Sequence, residues 1–322
     1  MLWLSALLAV VFGISVFLGR YPAPGFMPLE RLFSDEMARS LLLNLRLPRL
    51  LTALLLGMSL AASGAVFQMI FGNPLVEPGF LGVSQGAAFG AACSIIFLSN
   101  TAWAVQVFAA IFACLGLGFS YLLARRVRYG GWVLRLVLAG IAVSALFSAG
   151  VGVLKYIADP LSQLPEITFW LLGSLTSLTW PQFWAILPAV TLGLFVAFQM
   201  RWRLNLLSLS DETAFSLGAA PGWERTLLLV VVVIATSAVI SVAGMVGWIG
   251  LIIPHIARRI FGADARYSLP GSMLIGAIFA ILCDDLARVM FAGEIPLGIL
   301  TSLIGAAIFM LLMMRPQVAV KQ

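Results

Sequence analysis

Three arginines beside long apolar segments are the side chains with the clearest chemical potential. Arg46 and Arg49 lie three residues apart in RLPR, and Arg288 follows two acids in CDDLAR. Arg46 and Arg49 have no acid within four residues, whereas Asp284 and Arg288 have the i, i+4 spacing of a pair on one helix face. A guanidinium is suited to bidentate recognition of a carboxylate. The pattern therefore indicates recognition of an anionic partner, with a structural ion pair at a helix end as the alternative for Asp284 and Arg288.

Residue patterns typical of enzymes are missing. The sequence contains no HExxH, no GxSxG and no glycine-rich loop before a Lys-Ser/Thr pair. The single histidine, His255, has no second metal ligand in its run GLIIPHIARRIFG, so we expect it to be packed or interfacial. Cys93, Cys114 and Cys283 are odd in number and form no CxxC motif, which argues against a zinc site or a disulfide framework. We predict no catalytic residue, no metal site and no cofactor bound by this chain.

The composition is that of a membrane protein. The chain has 322 residues, of which 62% are hydrophobic and 10% charged, whereas soluble domains are about half apolar and about a quarter charged. The net charge of +6 comes from short basic clusters between apolar runs, a topology signal that disfavours nucleic-acid binding. The first apolar run lacks a basic n-region and a clear cleavage site, so it predicts a transmembrane helix and not a signal peptide. We expect a single transmembrane domain over residues 1–322.

The apolar runs predict an all-α polytopic protein with about ten transmembrane helices. In order, they are Leu2–Leu18, Leu47–Ile70, Phe80–Leu98, Ala102–Ala124, Val133–Tyr156, Trp180–Met200, Thr226–Val246, Trp248–Phe261, Pro270–Phe291 and Pro296–Met314. A further helix, Leu164–Leu175, is too short to span and is predicted to be re-entrant or interfacial. The second to fifth and the seventh to tenth helices form two sets of opposite topology, an arrangement common in transporters.

The second helix combines a basic start with a small-residue face. From Leu50 to Ile70 it has no charge, and it is about 31 Å long, roughly one bilayer core. Gly57, Ala61 and Ala65 follow at i, i+4 and i+8, a spacing that lets helix backbones approach closely in lipid. We predict that this face packs against another helix.

The basic residues predict the orientation. With both termini in the cytoplasm, most of the 19 basic residues fall on the inner side. Arg46, Arg49 and Arg288 remain on the outer side, against this rule, which favours a functional role for them.

The longest cytoplasmic connection in this topology is residues 204–222. Ser210 is a candidate N-cap for a short helix with Asp211 and Glu212 in its first turn. The apolar edge of this helix and its end are predicted from Leu209, Phe215, Leu217 and Gly218. Its periodicity alone is that of an ordinary surface loop.

Several long segments resemble one family. RLPRLLTALLLGMSLAASGAVFQMIFGNPLVEPGFLGVSQG, residues 46–86, resembles the signature of the permease subunits of type II ABC importers for iron-siderophores, haem and vitamin B12. LLSLSDETAFSLG is similar to the family's loop that docks in a cleft of the ATPase subunit, although Phe215 stands where a basic residue is common. CDDLARVMFAGEIPLGILTSLIGAAIFMLLMMR resembles the C-terminal signature, departing from it at Asp285 and Ala307.

The resemblance implies an assembly and roles for the sites. It implies two copies of this permease and two ATPase subunits that bind ATP and Mg, with one periplasmic or lipid-anchored binding protein, in the bacterial cytoplasmic membrane. The arginines that match Arg46, Arg49 and Arg288 receive glutamates of the binding protein, and residues 204–222 form the coupling loop. The implied cargo is a metal chelate such as an iron-siderophore, haem or cobalamin, with an oxyanion such as molybdate as the alternative in the same family. An ion-coupled secondary transporter is the alternative from another class, but it needs acids at the membrane midplane, whereas most acids here lie in loops or at helix ends.

Overall fold

Apolar helices make up most of the computed structural model, which describes residues 1–21, 23–290 and 293–314. The helices are α1 (Leu2–Phe17), α2 (Arg31–Ser34), α3 (Glu36–Leu41), α4 (Leu47–Ile70), α5 (Val83–Phe97), α6 (Ala102–Arg126), α7 (Trp132–Ile157), α8 (Gln163–Leu172), α9 (Trp180–Gln199), α10 (Arg201–Leu207), α11 (Asp211–Ser216), α12 (Pro221–Ala243), α13 (Ile249–Phe261), α14 (Ala265–Val289) and α15 (Leu297–Met314). A two-residue antiparallel pair, β1 (Leu18–Gly19) with β2 (Gly25–Phe26), follows α1. The predicted end of the ninth transmembrane helix at Phe291 lies outside the described residues.

The all-α polytopic fold is confirmed. Within the described ranges, seven helical stretches are long and apolar enough to cross a membrane, and they correspond to the second, fourth to seventh, ninth and tenth predicted spans. The other three predicted spans are the shorter helices α1, α5 and α13, with 16, 15 and 13 residues. At about 1.5 Å per residue, α13 is about 20 Å long, which is less than the bilayer core. The ten predicted spans therefore comprise seven long helices and three short ones.

The start of the second predicted span is continuous with the helix before it. A π-helical turn at Leu42–Arg46 joins α3 to α4, before the predicted start of the second span at Leu47. Pro48 has no backbone N–H to donate to the previous turn, and its ring crowds the carbonyl four residues earlier. The wide turn relieves this conflict and places Arg46 at its end, with Arg49 three residues later on α4.

The centre of the molecule is the contact between α4 and α14. A Cβ atom added to Gly57 would lie 2.1 Å from the carbonyl oxygen of Gly276, so the two backbones are in direct contact at this crossing. Ala61 packs beside Gly276, and both Ala61 and Ala65 are buried. In contrast, α6, α7, α9 and α15 keep large apolar side chains exposed, surfaces that suit lipid or other apolar partners.

Two irregular segments replace predicted helix. The helix α12 ends at Ala243 and not at Val246, because the backbone turns at Gly244 to pass Trp170 and the segment after α8. The backbone N–H of Ser174 donates to the Ala243 carbonyl at 2.8 Å, which fixes this crossing. In the same way α5 begins at Val83 and not at Phe80, after a 3-10 turn at Pro78–Leu81.

Candidate functional site

Three arginines and three carboxylates meet where the start of α4 lies beside the end of α14. Arg46 and Arg49 come from the start of α4, and Asp284, Asp285 and Arg288 from the last turns of α14. Glu294 joins them from the connection between α14 and α15. We call these six residues the arginine cluster. Their formal charges sum to zero.

Arg49 has two carboxylate partners. Its Nε donates to Asp284 Oδ1 at 2.8 Å, and its Nη1 donates to Glu294 Oε2 at 2.8 Å. The Arg49 side chain is 9% exposed, that of Asp284 0% and that of Glu294 33%. No acid lies within four residues of Arg49 in the sequence, and its two carboxylate partners are 235 and 245 residues away along the chain.

Arg288 is held still more firmly within the chain. Its Nε lies 3.1 Å from Asp284 Oδ2, in the i, i+4 pair expected from the sequence, and its Nη2 pairs with Asp285. It also donates to the backbone carbonyls of Leu18 and Ser15, both at 3.3 Å. Asp284 thus bridges Arg49 and Arg288, and this shared carboxylate neutralises two buried cations.

Arg46 differs from the other two arginines. Its Nη1 donates to the carbonyls of Val16 at 3.2 Å and Phe17 at 3.3 Å, and no carboxylate of the described residues lies within 4.0 Å of it. Arg46 is therefore the arginine whose charge is least neutralised.

A cleft of about 380 Å³ opens onto the cluster. Arg46, Arg49, Arg288 and Glu294 form its polar wall, with Tyr21 and Thr176 among the other lining residues. Of the three arginines that line this cleft, Arg49 and Arg288 are paired with carboxylates, and Arg46 donates only to backbone carbonyls.

The opposite end of α14 is attached to residues 204–222. Asn205 on α10 donates to Asp264 Oδ1 at 2.8 Å and accepts from the backbone N–H of Ala265 at 2.9 Å. Asp264 is the N-cap of α14. The Asp264 carboxylate accepts hydrogen bonds from the side chain and the backbone N–H of Arg266 and from the side chain of Asn205. These bonds hold the pKa of the Asp264 carboxyl well below its usual range.

The short helix α11 has the cap and the end that the sequence predicts. The Ser210 hydroxyl accepts from the Thr213 N–H at 3.4 Å, and Asp211 and Glu212 occupy the first turn. Gly218 follows with φ of 82°, the left-handed conformation that favours glycine at a helix end.

One face of this segment is apolar and exposed. Phe215 is 74% exposed, Leu217 56%, Leu209 42% and Trp223, at the start of α12, 68%. Ala214, Leu204 and Leu207 are buried and anchor the segment from beneath. We call the exposed side chains of Leu209, Phe215, Leu217 and Trp223 the apolar loop face.

Arg225 holds this segment in place, a role that the sequence analysis missed. It is 7% exposed and donates to the carbonyls of Leu207 at 2.8 Å and Leu209 at 3.1 Å, and it pairs with Asp211. A basic residue three positions after the end of the predicted coupling loop was counted only as a topology signal. Its burial depends on packing that sequence spacing does not show.

Two further ionisable residues lie between the two ends. Glu77 lines both a cavity of about 340 Å³ and one of about 680 Å³, next to the backbone of Trp248, which has φ of 71°. His255 on α13 is partly buried, and no group of three or more potential metal ligands occurs within the described residues. The sequence analysis gave Glu77 no role, although Glu77 is the only acidic residue between the second and third predicted spans.

Similarity to known proteins assigns the chain to a family. The model of the FecCD transport family matches residues 7–315. The chain belongs to the FecCD transport family. The resemblance to permease subunits of type II ABC importers is thereby confirmed.

Individual relatives agree with this assignment. An iron chelatin transport system permease of Helicobacter pylori is 42% identical over 275 residues, 85% of this chain and 82% of the relative. The molybdate import permease MolB of Haemophilus influenzae is 37% identical over 321 residues, 95% of this chain and 92% of the relative. A solved structure described as a metal-chelate type ABC transporter in an inward-facing conformation has a TM-score of 0.89 and 36% identity, and the match covers 97% of both chains.

Proposed function

We propose that this FecCD permease works in an importer that moves a metal chelate into a bacterial cytoplasm. Two copies of the chain would associate with two ATPase subunits, which bind ATP and Mg, and with one periplasmic or lipid-anchored binding protein. Both termini would be cytoplasmic, with the arginine cluster outside and residues 204–222 inside. The observation that carries the proposal is the placement of these two sites at opposite ends of α14, about 37 Å apart for 25 residues.

The arginine cluster supports docking of a carboxylate-bearing partner. Arg46 faces the cleft without an acid, so it is the first contact for a glutamate of the binding protein. Arg49 would follow, and Arg288 would contribute least, because Asp284, Asp285 and two carbonyls already hold it. The three arginines are therefore proposed to contribute unequally.

The apolar loop face supports contact with the ATPase subunit. Phe215, Leu217 and Trp223 expose apolar area that suits a hydrophobic cleft. Arg225 and Asn205 fix the backbone beneath them, so a push on this face would reach α12 and α14 directly. Rigid attachment is what a coupling element requires.

A metal chelate is the better supported cargo. The H. pylori relative and the solved metal-chelate transporter both point to this class. A molybdate-type oxyanion is the second candidate, because MolB is similar over nearly the full chain.

Reconstitution tests the proposal. The chain is purified with its ATPase subunit, inserted into liposomes, and supplied with candidate binding proteins loaded with a ferric siderophore, haem, cobalamin or molybdate. We expect ATP-dependent uptake of a metal chelate and hydrolysis that rises with the matching binding protein. If molybdate is the only cargo taken up, the permease works in an oxyanion importer and the metal-chelate proposal fails. Ion-driven uptake by this chain without an ATPase would overturn the importer.

A further inference from the structure

Glu294 is the most exposed carboxylate of the arginine cluster. Its side chain is 33% exposed, whereas Asp284 is 0% and Asp285 9% exposed. It lies in the connection between α14 and α15 and not on a helix, with φ of 41°, a conformation that non-glycine residues rarely adopt. Its carboxylate nevertheless reaches Arg49 Nη1 at 2.8 Å.

The two acids on Arg49 are held differently. Asp284 is fully buried on α14 and also neutralises Arg288. Its displacement would therefore deprive two buried cations of a carboxylate partner. Glu294 contacts only Arg49 among the basic residues described, and solvent reaches it. Arg49 therefore has one permanent partner and one that can be released.

An incoming carboxylate would compete for the same side of Arg49. Arg49 and Glu294 line the cleft together, so a partner's carboxylate that approaches Arg49 there lies beside the Glu294 carboxylate, and the two negative charges repel each other. Charge leads to the same conclusion. With Glu294 ionised the cluster is neutral, and without it the cluster carries one net positive charge, which attracts an anionic partner.

We propose that Glu294 is an internal competitor: it occupies Arg49 in the free permease and is displaced by a carboxylate of the docked binding protein. This inference rests on the docking role proposed above for the arginine cluster. It assigns to Glu294 control of docking affinity, so that the permease binds its partner reversibly and not as tightly as the three arginines alone would allow.

The test is the affinity of the binding protein for the complete permease–ATPase complex carrying Glu294→Gln. The binding protein is the one that stimulates hydrolysis in the reconstitution. We expect about a three- to tenfold tighter Kd, since one competing charge–charge hydrogen bond is removed. Glu30→Gln is the matched control, because Glu30 is an exposed acid just before α2 and its side chain has no hydrogen bond or ion pair with the cluster. It should leave the Kd unchanged.

The outcomes separate the two proposals. If Arg46→Gln leaves docking unchanged, the docking role itself fails. If Arg46→Gln weakens docking but Glu294→Gln leaves the Kd unchanged or weakens it, docking stands and the competitor is overturned, because Glu294 then positions Arg49 for its partner. Glu294→Asp, whose shorter side chain keeps the charge but not the reach, should tighten docking less than Glu294→Gln. If neither Glu294→Gln nor Glu294→Asp assembles with the ATPase subunit, the Glu294 carboxylate has a structural role and the proposal is overturned.

Discussion

The two ends of α14 present their surfaces in opposite ways. At the arginine end, three guanidinium groups are buried at 5–9% exposure and largely satisfied within the chain. At the loop end, Phe215 and Leu217 are 74% and 56% exposed and have no such internal partner. The charges at the arginine end are neutralised within the chain, whereas the apolar side chains at the loop end are exposed.

The difference follows from the physical nature of the groups. Unpaired arginines at a membrane surface are costly to bury, so carboxylates and backbone carbonyls of the chain pair with them. A docking partner must replace one of these groups. Apolar side chains at a water-exposed loop need only a rigid backbone, which Arg225 provides. A partner at the arginine end must therefore replace contacts that the arginines already make. A partner at the loop end binds side chains that a rigid backbone already presents.

The largest expected effect comes from removing the shared acid. Asp284→Ala leaves Arg49 with Glu294 alone and Arg288 with Asp285, and both cations remain buried. Removing one partner of a buried ion pair typically costs about 3–5 kcal/mol. We expect poor assembly and a clearly lower melting temperature of the detergent-solubilised permease, measured by tryptophan fluorescence. Glu294→Gln is the internal comparison and should change the melting temperature much less. Equal effects of the two variants would show that Asp284 is not the permanent partner.

The next effect concerns the stiffness of the loop end. Gly218 has φ of 82°, and a Cβ there would meet no atom within 4 Å, so a side chain is opposed by the backbone alone. Gly218→Val should therefore cost about 1–2 kcal/mol locally and distort the end of α11. We expect ATP hydrolysis to continue while transport falls, measured together in proteoliposomes.

A matched control separates backbone conformation from added volume. Gly222, in the first turn of α12, also has open space at its Cβ position but no positive φ. Gly222→Val, which adds the same side chain without a positive φ, should transport normally. Normal transport in Gly218→Val would remove the case for this segment as the coupling element.

The third effect tests the order among the arginines. Arg46→Gln removes the cation without a carboxylate partner, so docking should weaken several-fold while the melting temperature changes little. Arg288→Gln should do the reverse, because it frees Asp285 and part of Asp284. Arg46→Glu combined with Arg49→Glu should abolish docking, and the docking that remains in the single variants should weaken further as the salt concentration rises, because salt screens the remaining charge pairs. Docking is measured with immobilised complex, and equal losses for Arg46→Gln and Arg288→Gln would contradict the proposed order.

The helices were predictable from the sequence, but the partners of the charges were not. The range Leu47–Ile70 follows from an uninterrupted apolar run bounded by Pro48 and by Asn73-Pro74, all local signals. Asp284 and Glu294 reach Arg49 only because α4 and α14 cross at Gly57 and Gly276, a tertiary contact that no local spacing encodes. The early end of α12 at Ala243 and the late start of α5 at Val83 have the same origin, since other backbones cross there.

The smallest expected effect lies between the two ends, at His255. The polar contacts that tie α13 to α4 come from Gln68, which donates to the carbonyls of Gly250 at 3.2 Å and Leu251 at 3.0 Å and accepts from Arg258. His255 takes no part in these contacts, and no cluster of metal ligands surrounds it within the described ranges. His255→Gln should therefore assemble and retain transport within about twofold, with the same dependence on pH between about 6 and 7.5, where an obligatory imidazole would titrate. The measurement is chelate uptake across that pH range, with Gln68→Leu as the contrasting variant that should lower stability. Loss of uptake in His255→Gln with the complex intact would place a proton-transfer or binding step in the middle of the molecule, and the two-end description would then be incomplete.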